Sequence, residues 1–159
     1  MENVGAETET KMALTVRNAE YFYIRIEGSS EKAYELLAKL ASAEVSLLAF
    51  SAVPFGPNHL ELTIFPDRSD AFIQLARTSG WVVAGPQHAL LVQGDDNLGA
   101  LADIQRMLLE AGVEIYASSG VTDGSGRYGY LIYFKEEDNE IAARALGAVT
   151  APVASPRVR

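Results

Sequence analysis

The chain of 159 residues contains no cysteine. This absence excludes disulfide bonds, thiolate metal sites and a catalytic thiol. Histidine is almost as scarce, since His59 and His88 are the only two. One stands beside a turn signal and the other at the start of a predicted strand, and neither has a carboxylate at a spacing typical of metal ligands. We therefore expect no bound metal and no cofactor.

Basic residues are few and scattered. The chain carries 13 Lys and Arg against 21 Asp and Glu, for a formal net charge of -8. Nucleic-acid binding needs clustered basic side chains, so we expect no nucleic-acid partner. No stretch approaches 18 consecutive apolar residues, which predicts no membrane span. Met1–Thr10 lacks the apolar segment of a secretory signal, and a cytoplasmic location is predicted.

The sequence also lacks a recognisable catalytic arrangement. No serine lies in a nucleophile motif, and carboxylate pairs occur only at predicted helix starts or in exposed runs such as Glu136–Asp138. A glycine-bearing segment, Gly124–Gly126, lacks the lysine and the strand-to-helix context of a phosphate loop and is predicted to be a hairpin. We therefore expect a protein that is not an enzyme, and a catalytic ferredoxin-like protein is the least favoured of three function classes.

What the chain does contain is an internal repeat. Corresponding residues recur after 66, 68 and 69 positions, namely Gly28 with Gly94, Val45 with Val113, and Leu62 with Leu131. A repeat of about 65 residues is too long for most solenoids and indicates two copies of one small domain. Each copy would bury little core alone. The repeat therefore predicts that one copy packs on the other or on a second chain, probably as a homodimer.

Each copy shows the pattern strand, helix, strand, strand, helix, strand. In the first copy the predicted strands are Tyr21–Glu27, Val45–Val53, Leu60–Phe65 and Trp81–Ala84, with helices from Ser29 or Ser30 through Ala41 and over Ala71–Ser79. In the second copy the strands are His88–Gln93, Val113–Val121 and Arg127–Phe134, with helices over Leu98–Ala111 and Glu136–Leu146. Its fourth strand is either very short, near Val149, or supplied from elsewhere.

This order predicts an α+β protein of two ferredoxin-like βαββαβ subdomains, with antiparallel sheets and helices on one face. The predicted division is a flexible arm (1–18), a first domain (19–86), a second domain (87–149) and a flexible tail (150–159). The helix stripes are predicted at Tyr34, Leu37, Leu40 and Ala41, at Phe72, Leu75 and Ala76, and at Leu101, Ile104 and Leu108.

The sheet face away from the helices is predicted to be aromatic. If Phe22, Ile24 and Ile26 face the helices, the opposite face receives Tyr21, Tyr23, Leu48 and Phe50, with Tyr116 and Tyr130 as counterparts in the second copy. Such a face indicates burial against another sheet or subunit. The alternative is that the tyrosines lie flat on a solvated sheet.

The strongest local motif is the segment Asp95–Leu101, which joins a predicted strand to a predicted helix. Gly99 lies in the first turn, where a missing side chain lets another molecule approach the backbone. Helix N-termini present unpaired N–H groups and positive potential, which suit a carboxylate. The plainer alternative is that Asp95, Asp96 and Asn97 only cap the helix.

This segment resembles the ACT domain family. Asp95, Asn97, Leu98 and Gly99 match the family's first loop, and Gly112, Val113 and Glu114 match the entry to its second strand. The likeness spans roughly residues 21–147. Leu98 replaces the family's usual proline, and the first copy departs further, with Ser29–Lys32 in place of the glycine loop and Ala43–Val45 in place of Gly-Val.

The resemblance implies a regulatory module that binds a small molecule, commonly an amino acid, between copies. The implied site has one centre per chain and comprises Asp95, Asp96, Asn97, Leu98, Gly99, Ala100, Gly112, Val113, Glu114 and Ile115. In it the Leu98 and Gly99 amides receive the carboxylate, Asp95 or Asp96 the ammonium group, and Val113 with Ile115 border the side chain. Gly112 also has a plainer interpretation as a helix C-terminal residue. The alternative function is a ligand-free interaction module.

Overall fold

The chain folds into six strands and four helices in a computed structural model that describes residues 14–28 and 30–147. In chain order these are β1 (Thr15–Glu27), α1 (Ser30–Ser42), β2 (Leu47–Pro54), β3 (His59–Pro66), α2 (Ser69–Ser79), β4 (Val83–Asp95), α3 (Ala100–Glu110), β5 (Ile115–Thr122), β6 (Arg127–Phe134) and α4 (Asn139–Ala145). The strands form one sheet in the order β2-β3-β1-β4-β6-β5, and all pairings are antiparallel. The predicted α+β class and antiparallel pairing are confirmed.

Two long strands, β1 and β4, form the centre of this sheet. Thr15–Ala19 of β1 pair with residues 89–93 of β4, whereas Phe22–Glu27 pair with β3. We call residues 21–86 the first half, and residues 15–20 with 87–147 the second half. The start of β1 therefore lies beside the second half's strands, which supplies the strand that the sequence left unassigned. The predicted alternative near Val149 lies outside the described residues.

The two predicted strands Trp81–Ala84 and His88–Gln93 are not separate. They belong to β4, which continues through a register shift between the Tyr21–Gln87 and Tyr23–Ala84 pairs. Gly85 has φ 131, and a Cβ there would lie 2.9 Å from the carbonyl oxygen of Tyr21, so the shift requires glycine. Similarly, residues 15–18 of the predicted arm are paired strand residues, because they bond to β4. The other arm residues and the tail 150–159 lie outside the described part.

Corresponding elements of the two halves lie at a constant spacing. Strand β2 spans Leu47–Pro54 and β5 spans Ile115–Thr122, so both bounds differ by 68 residues. Strands β3, His59–Pro66, and β6, Arg127–Phe134, differ by 68 as well. Buried core positions follow the same spacing, as in Leu36 with Ile104, Leu40 with Leu108, and Val45 with Val113.

Two of the repeat pairs expected from the sequence are therefore wrong. At a spacing of 68, Leu62 corresponds to Tyr130, and both are buried on the helix side of the sheet, whereas Leu131 faces the other side. Gly94 lies inside β4 and corresponds to Ile26, whereas Gly28 follows β1. Alternation along a strand explains the first error, since a shift of one residue reverses the face.

All four helices pack on one face of the sheet. Val16 contacts the core under α3 and α4, while Phe22 and Ile24 belong to the core under α1 and α2. These residues have the same parity along β1, so both cores lie on the same side. Helix α1 buries Ala33, Leu36 and Leu40 and leaves Tyr34 71% exposed. Its predicted stripe was therefore placed about one residue away from the buried one.

The stripes of the other helices hold in part. In α2, Phe72 and Ala76 are buried and Leu75 is half-buried. In α3, Ile104 and Leu108 are buried, whereas Leu101 is exposed because it lies near the edge strand β5 against Gly120. The core of each half therefore rests on few helical positions.

The face away from the helices is buried by the sheet's own curvature. Phe65 of β3 and Tyr133 of β6 have ring centroids 6.1 Å apart, although β1 and β4 lie between them. Three strand spacings in a flat sheet would amount to roughly 14 Å. Tyr21, which is fully buried, packs between these two rings at 5.0 and 5.3 Å. The alternative of solvated tyrosines is therefore wrong for Tyr21.

Two further assignments to this concave face need correction. Tyr130 lies on the helix side, where its hydroxyl accepts a hydrogen bond from Gln105 Nε2 at 2.7 Å. Its neighbour Tyr133 takes the predicted place, because alternate residues of β6 face opposite sides. Phe50 contacts the core under α1 and α2, since the pairing of β2 with β3 shifts register near Ala49.

Candidate functional site

The predicted loop lies between the end of β4 at Asp95 and the start of α3 at Ala100. Backbone bonds hold it in place. The N–H of Asp96 donates to the carbonyl oxygen of Gly126 at 2.8 Å, and that of Asn97 donates to the carbonyl of Asp95 at 2.9 Å. The first of these bonds attaches the loop to the hairpin between β5 and β6. The loop is therefore a fixed part of the sheet's end.

Gly99 gives this loop an accessible backbone. Its φ is 87, and a Cβ built on it would meet no atom within 4 Å. Among the described residues, no acceptor is bonded to the N–H groups of Leu98 and Gly99. The side chain of Leu98 is completely exposed, at 108% of its reference area. Two free amides at a helix N-terminus are thus reachable from solvent.

The capping alternative for this loop is wrong. No side-chain hydrogen bond caps α3, and its N-cap position is occupied by Gly99. The Asp95 carboxylate instead lies 3.4 Å from an Arg127 guanidinium nitrogen, and both side chains are more than half exposed. Asp96 and Asn97 are exposed as well. The carboxylates of Asp95 and Asp96 therefore stay at the loop surface.

A buried hydroxyl without a partner lies close to this loop. The Oη atom of Tyr128 has no hydrogen-bond partner, and the residue is only 6% exposed. Burial, together with the charge of Asp95, raises the pKa of Tyr128. Its ring covers Gly94, where an added Cβ would lie 2.9 Å from the hydroxyl oxygen. Gly94 therefore makes room for the tyrosine that supports the end of β4.

The second group of predicted residues lies at the other end of α3. Gly112 has φ 77 and donates to the Leu109 carbonyl at 3.0 Å, which is the geometry of a helix C-terminus, as its plainer interpretation has it. Val113 is buried in the core, Ile115 is half-buried and Glu114 is exposed. Thirteen residues of helical rise, roughly 20 Å, separate Gly112 from Gly99. One chain therefore does not bring the two groups together.

None of the main cavities among residues 14–28 and 30–147 is lined by the Asp95–Ala100 loop. The largest, of about 850 Å³, lies on the concave face between β2 and the second half of the sheet. Its floor includes Gln93, Gly129 and Tyr133, which the sequence analysis missed as site residues. A comparison of the two halves at a spacing of 68 would have found them, because Glu61 stands at the position of Gly129.

Other site types find no support in the described ranges. Residues 14–28 and 30–147 contain no group of three or more His, Asp or Glu side chains that could hold a metal ion. No helix in the same ranges is long and apolar enough to cross a membrane.

Comparisons with known proteins identify the fold. Neither the scan against family models nor the search of curated proteins gives a match. Among solved structures, protein BT0572 from Bacteroides thetaiotaomicron has a TM-score of 0.70 at 18% identity, over 82% of this chain and 88% of that one. The ligand-free regulatory subunit of aspartate kinase from Thermus thermophilus has a TM-score of 0.60 at 15% identity, over 84% and 93%.

A third similar structure is a putative C-terminal regulatory domain of aspartate kinase from Porphyromonas gingivalis W83, with a TM-score of 0.53 at 17% identity, over 86% of this chain and 96% of that one. At such identities the likeness concerns the fold alone. Together with the six-stranded antiparallel sheet, these neighbours establish that the chain has an ACT-like α+β fold.

Proposed function

We propose that this chain is a non-enzymatic regulatory module of the tandem ACT type, acting in the cytoplasm, that binds an amino acid at the loop before α3. The observation that carries the proposal is the accessible backbone at Gly99, with the free N–H groups of Leu98 beside it. A carboxylate would accept from these two amides at the positive end of α3. Asp95 and Asp96 would receive the ammonium group.

The tandem organisation is supported by the constant spacing of 68 residues between β2 and β5 and between β3 and β6. Under this interpretation the units predicted at 19–86 and 87–149 exchange strands at the centre. The end of β1 serves the first unit and its start serves the second, and β4 is divided in the same way. Each unit then has four strands and two helices.

The amino-acid site would be completed by a second copy of the chain. The loop is open, and Gly112 with Ile115 lies at the far end of α3, so a ligand bounded by both groups needs two chains. The exposed Leu98 is well placed to be covered in such a homodimer. In this arrangement Val113 contributes by holding the end of α3 in the core.

The alternative is a ligand-free interaction module. Exposed apolar side chains favour it, and several belong to the second half, including Leu98, Leu109, Tyr116 and Val121. Such a surface would mediate assembly or docking without any small molecule.

The experiment is calorimetry of the full chain against each proteinogenic amino acid, with two matched variants. Gly99→Val places a side chain over the free amides, whereas Gly56→Val puts the same residue in the β2–β3 turn. Gly56 has φ 75 and, like Gly99, no atom within 4 Å of an added Cβ, so the two variants carry similar backbone strain.

The proposal expects one amino acid to bind the natural chain and Gly56→Val, and binding by Gly99→Val to fall at least about tenfold. Sedimentation of the same samples reports their assembly. Absence of heat with all amino acids, combined with intact oligomers, would favour the interaction module. Equal binding by both variants would place the ligand away from this loop.

A further inference from the structure

The concave face of the sheet holds a cleft with two distinct walls. One wall is the edge strand β2, including Leu48 and Val53, and the other is the surface of β4, β6 and β5 in the second half. These strands lie at opposite edges of the sheet, so only its curvature brings them around one space. The resulting volume of about 850 Å³ lies within the range of small-molecule sites.

The cleft exists because two side chains are small or short where the first half has large ones. Gln93 pairs directly across from Gly129, just as Arg25 pairs across from Glu61. In the first half the Arg25 guanidinium bonds to Glu61 at 2.9 Å and lies 3.9 Å from the Phe55 ring centroid. These three side chains occupy the space that Gly129 leaves vacant.

The inner part of the cleft is apolar. Phe65, Leu91, Leu131 and Tyr133 line it, and all four belong to the concave-face cluster. Burial raises the pKa of Tyr133 to about 12, so this hydroxyl stays uncharged at neutral pH. An occupant of this part must therefore be mainly apolar.

The charged groups at the mouth are already compensated. Arg127 lies against Asp95 at 3.4 Å. The Asp123 carboxylate accepts bonds from the backbone N–H and the hydroxyl of Ser125 at 2.8 and 2.6 Å, which lower its pKa. The remaining polar lining is neutral, chiefly Gln93, Ser119 and Thr122. A charged ligand would find no unpaired counter-charge here, whereas a hydroxyl or amide would find donors and acceptors.

We propose that this cleft binds a compact, uncharged aromatic molecule that carries one hydroxyl or amide group. The ring lies against Phe65, Leu131 and Tyr133, and the polar group bonds near Gln93 and Ser119. The site is separate from the Gly99 loop and needs no second chain. Its ligand differs in charge from the amino acid proposed for that loop.

The test uses naphthol as the probe, with naphthoate and naphthylmethylammonium as charged analogues of similar size, in calorimetry with the full chain. Gly129→Leu fills the floor of the cleft. Gly129 does not have a left-handed φ, and no atom lies within 4 Å of an added Cβ, so this variant should fold. Ala117→Leu, at an exposed position of β5 outside the cleft lining, adds the same bulk as a control.

The expected result is naphthol binding by the natural chain, by Ala117→Leu and by Gly99→Val, with at least about tenfold weaker binding by Gly129→Leu and by both charged analogues. No naphthol binding by the natural chain, or equal binding by Gly129→Leu, would overturn the proposal. An oligomer that dissociates in Gly129→Leu, without naphthol binding by either form, would assign the cleft to a second copy and also overturn it.

Discussion

The two halves of the molecule share a scaffold but differ where the second half lacks side chains. At the start of the first helix, the first half has Glu31 where the second has Gly99, 68 residues later. On the concave face, Arg25 and Glu61 form a bridge where Gln93 faces Gly129. Both differences leave space in the second half. The comparison teaches that helix and strand positions are set by the core, while accessibility depends on a few surface residues.

The core comparison can be broken by truncating equivalent residues. Leu36→Ala and Ile104→Ala each remove a buried side chain at corresponding positions of α1 and α3. We expect each to lower the free energy of unfolding by about 3 kcal/mol. Because β1 and β4 run through both halves, each variant should still unfold in one transition, measured by urea denaturation with circular dichroism. Two separate transitions in either variant would show that the halves are independent.

The end of β4 offers a smaller effect that is confined to one half. Gly94→Ala would place a Cβ 2.9 Å from the Tyr128 hydroxyl oxygen and 3.1 Å from its ring, a contact that requires movement. We expect a loss of about 1 to 3 kcal/mol in unfolding free energy. Tyr128→Phe removes the buried hydroxyl that has no partner, and should be neutral or slightly stabilising.

Denaturant titrations of both single variants and the double variant check this prediction. The double variant should recover part of the loss caused by Gly94→Ala, since the closest contact is then gone. Additive effects would argue that the hydroxyl does not limit the space at this position.

The concave face predicts a difference at alkaline pH. Burial raises the pKa of Tyr133 to about 12, whereas the equivalent residue of the first half, Phe65, has no ionisable group. A raised folded-state pKa stabilises the fold below the ordinary tyrosine value of about 10, and this stabilisation is lost as pH rises from there towards 12. Tyr133→Phe should therefore unfold at a higher pH than the natural chain.

Circular dichroism between neutral pH and strongly alkaline pH measures the midpoint of this unfolding. Tyr21→Phe should act in the same direction, because burial raises the pKa of Tyr21 as well. An unchanged midpoint in both variants would contradict the buried environment of this tyrosine cluster.

The smallest effect is expected from transferring the first half's bridge to the second. The double variant Gln93→Arg with Gly129→Glu places the Arg25–Glu61 pair at the equivalent cross-strand position. Since the original pair is partly exposed, we expect a stability change of less than about 1 kcal/mol. Naphthol binding should nevertheless be lost. Retained binding would show that these two residues do not keep the cleft open.

Much of this fold could be predicted from the sequence, because alternation and helical periodicity marked the elements around Leu62 and Ile104. The continuous strand β4 could not, since the Gly85-Pro86 sequence is typical of a strand break. Its bulge depends on pairing with Tyr21, which lies far away in the chain. The curvature that joins Phe65 to Tyr133 is equally non-local.

The candidate site was predictable only in part for a similar reason. The loop around Gly99 has a local signature, and the structure places it between β4 and α3 as predicted. The distance between Gly99 and Gly112 depends on which residues one chain brings together, which a motif does not contain. The role of Gly129 becomes visible only beside Glu61, its equivalent in the other half.

The most direct test is amide-resolved NMR of the full chain with the amino acid that calorimetry selects. The account predicts shifts of the Asp96, Leu98 and Gly99 amides at low ligand concentration, with the equivalent amides near Glu31 unchanged. Shifts centred on α1 instead, or an undisturbed Gly99 amide at saturating ligand, would contradict the claim that the second half carries the site.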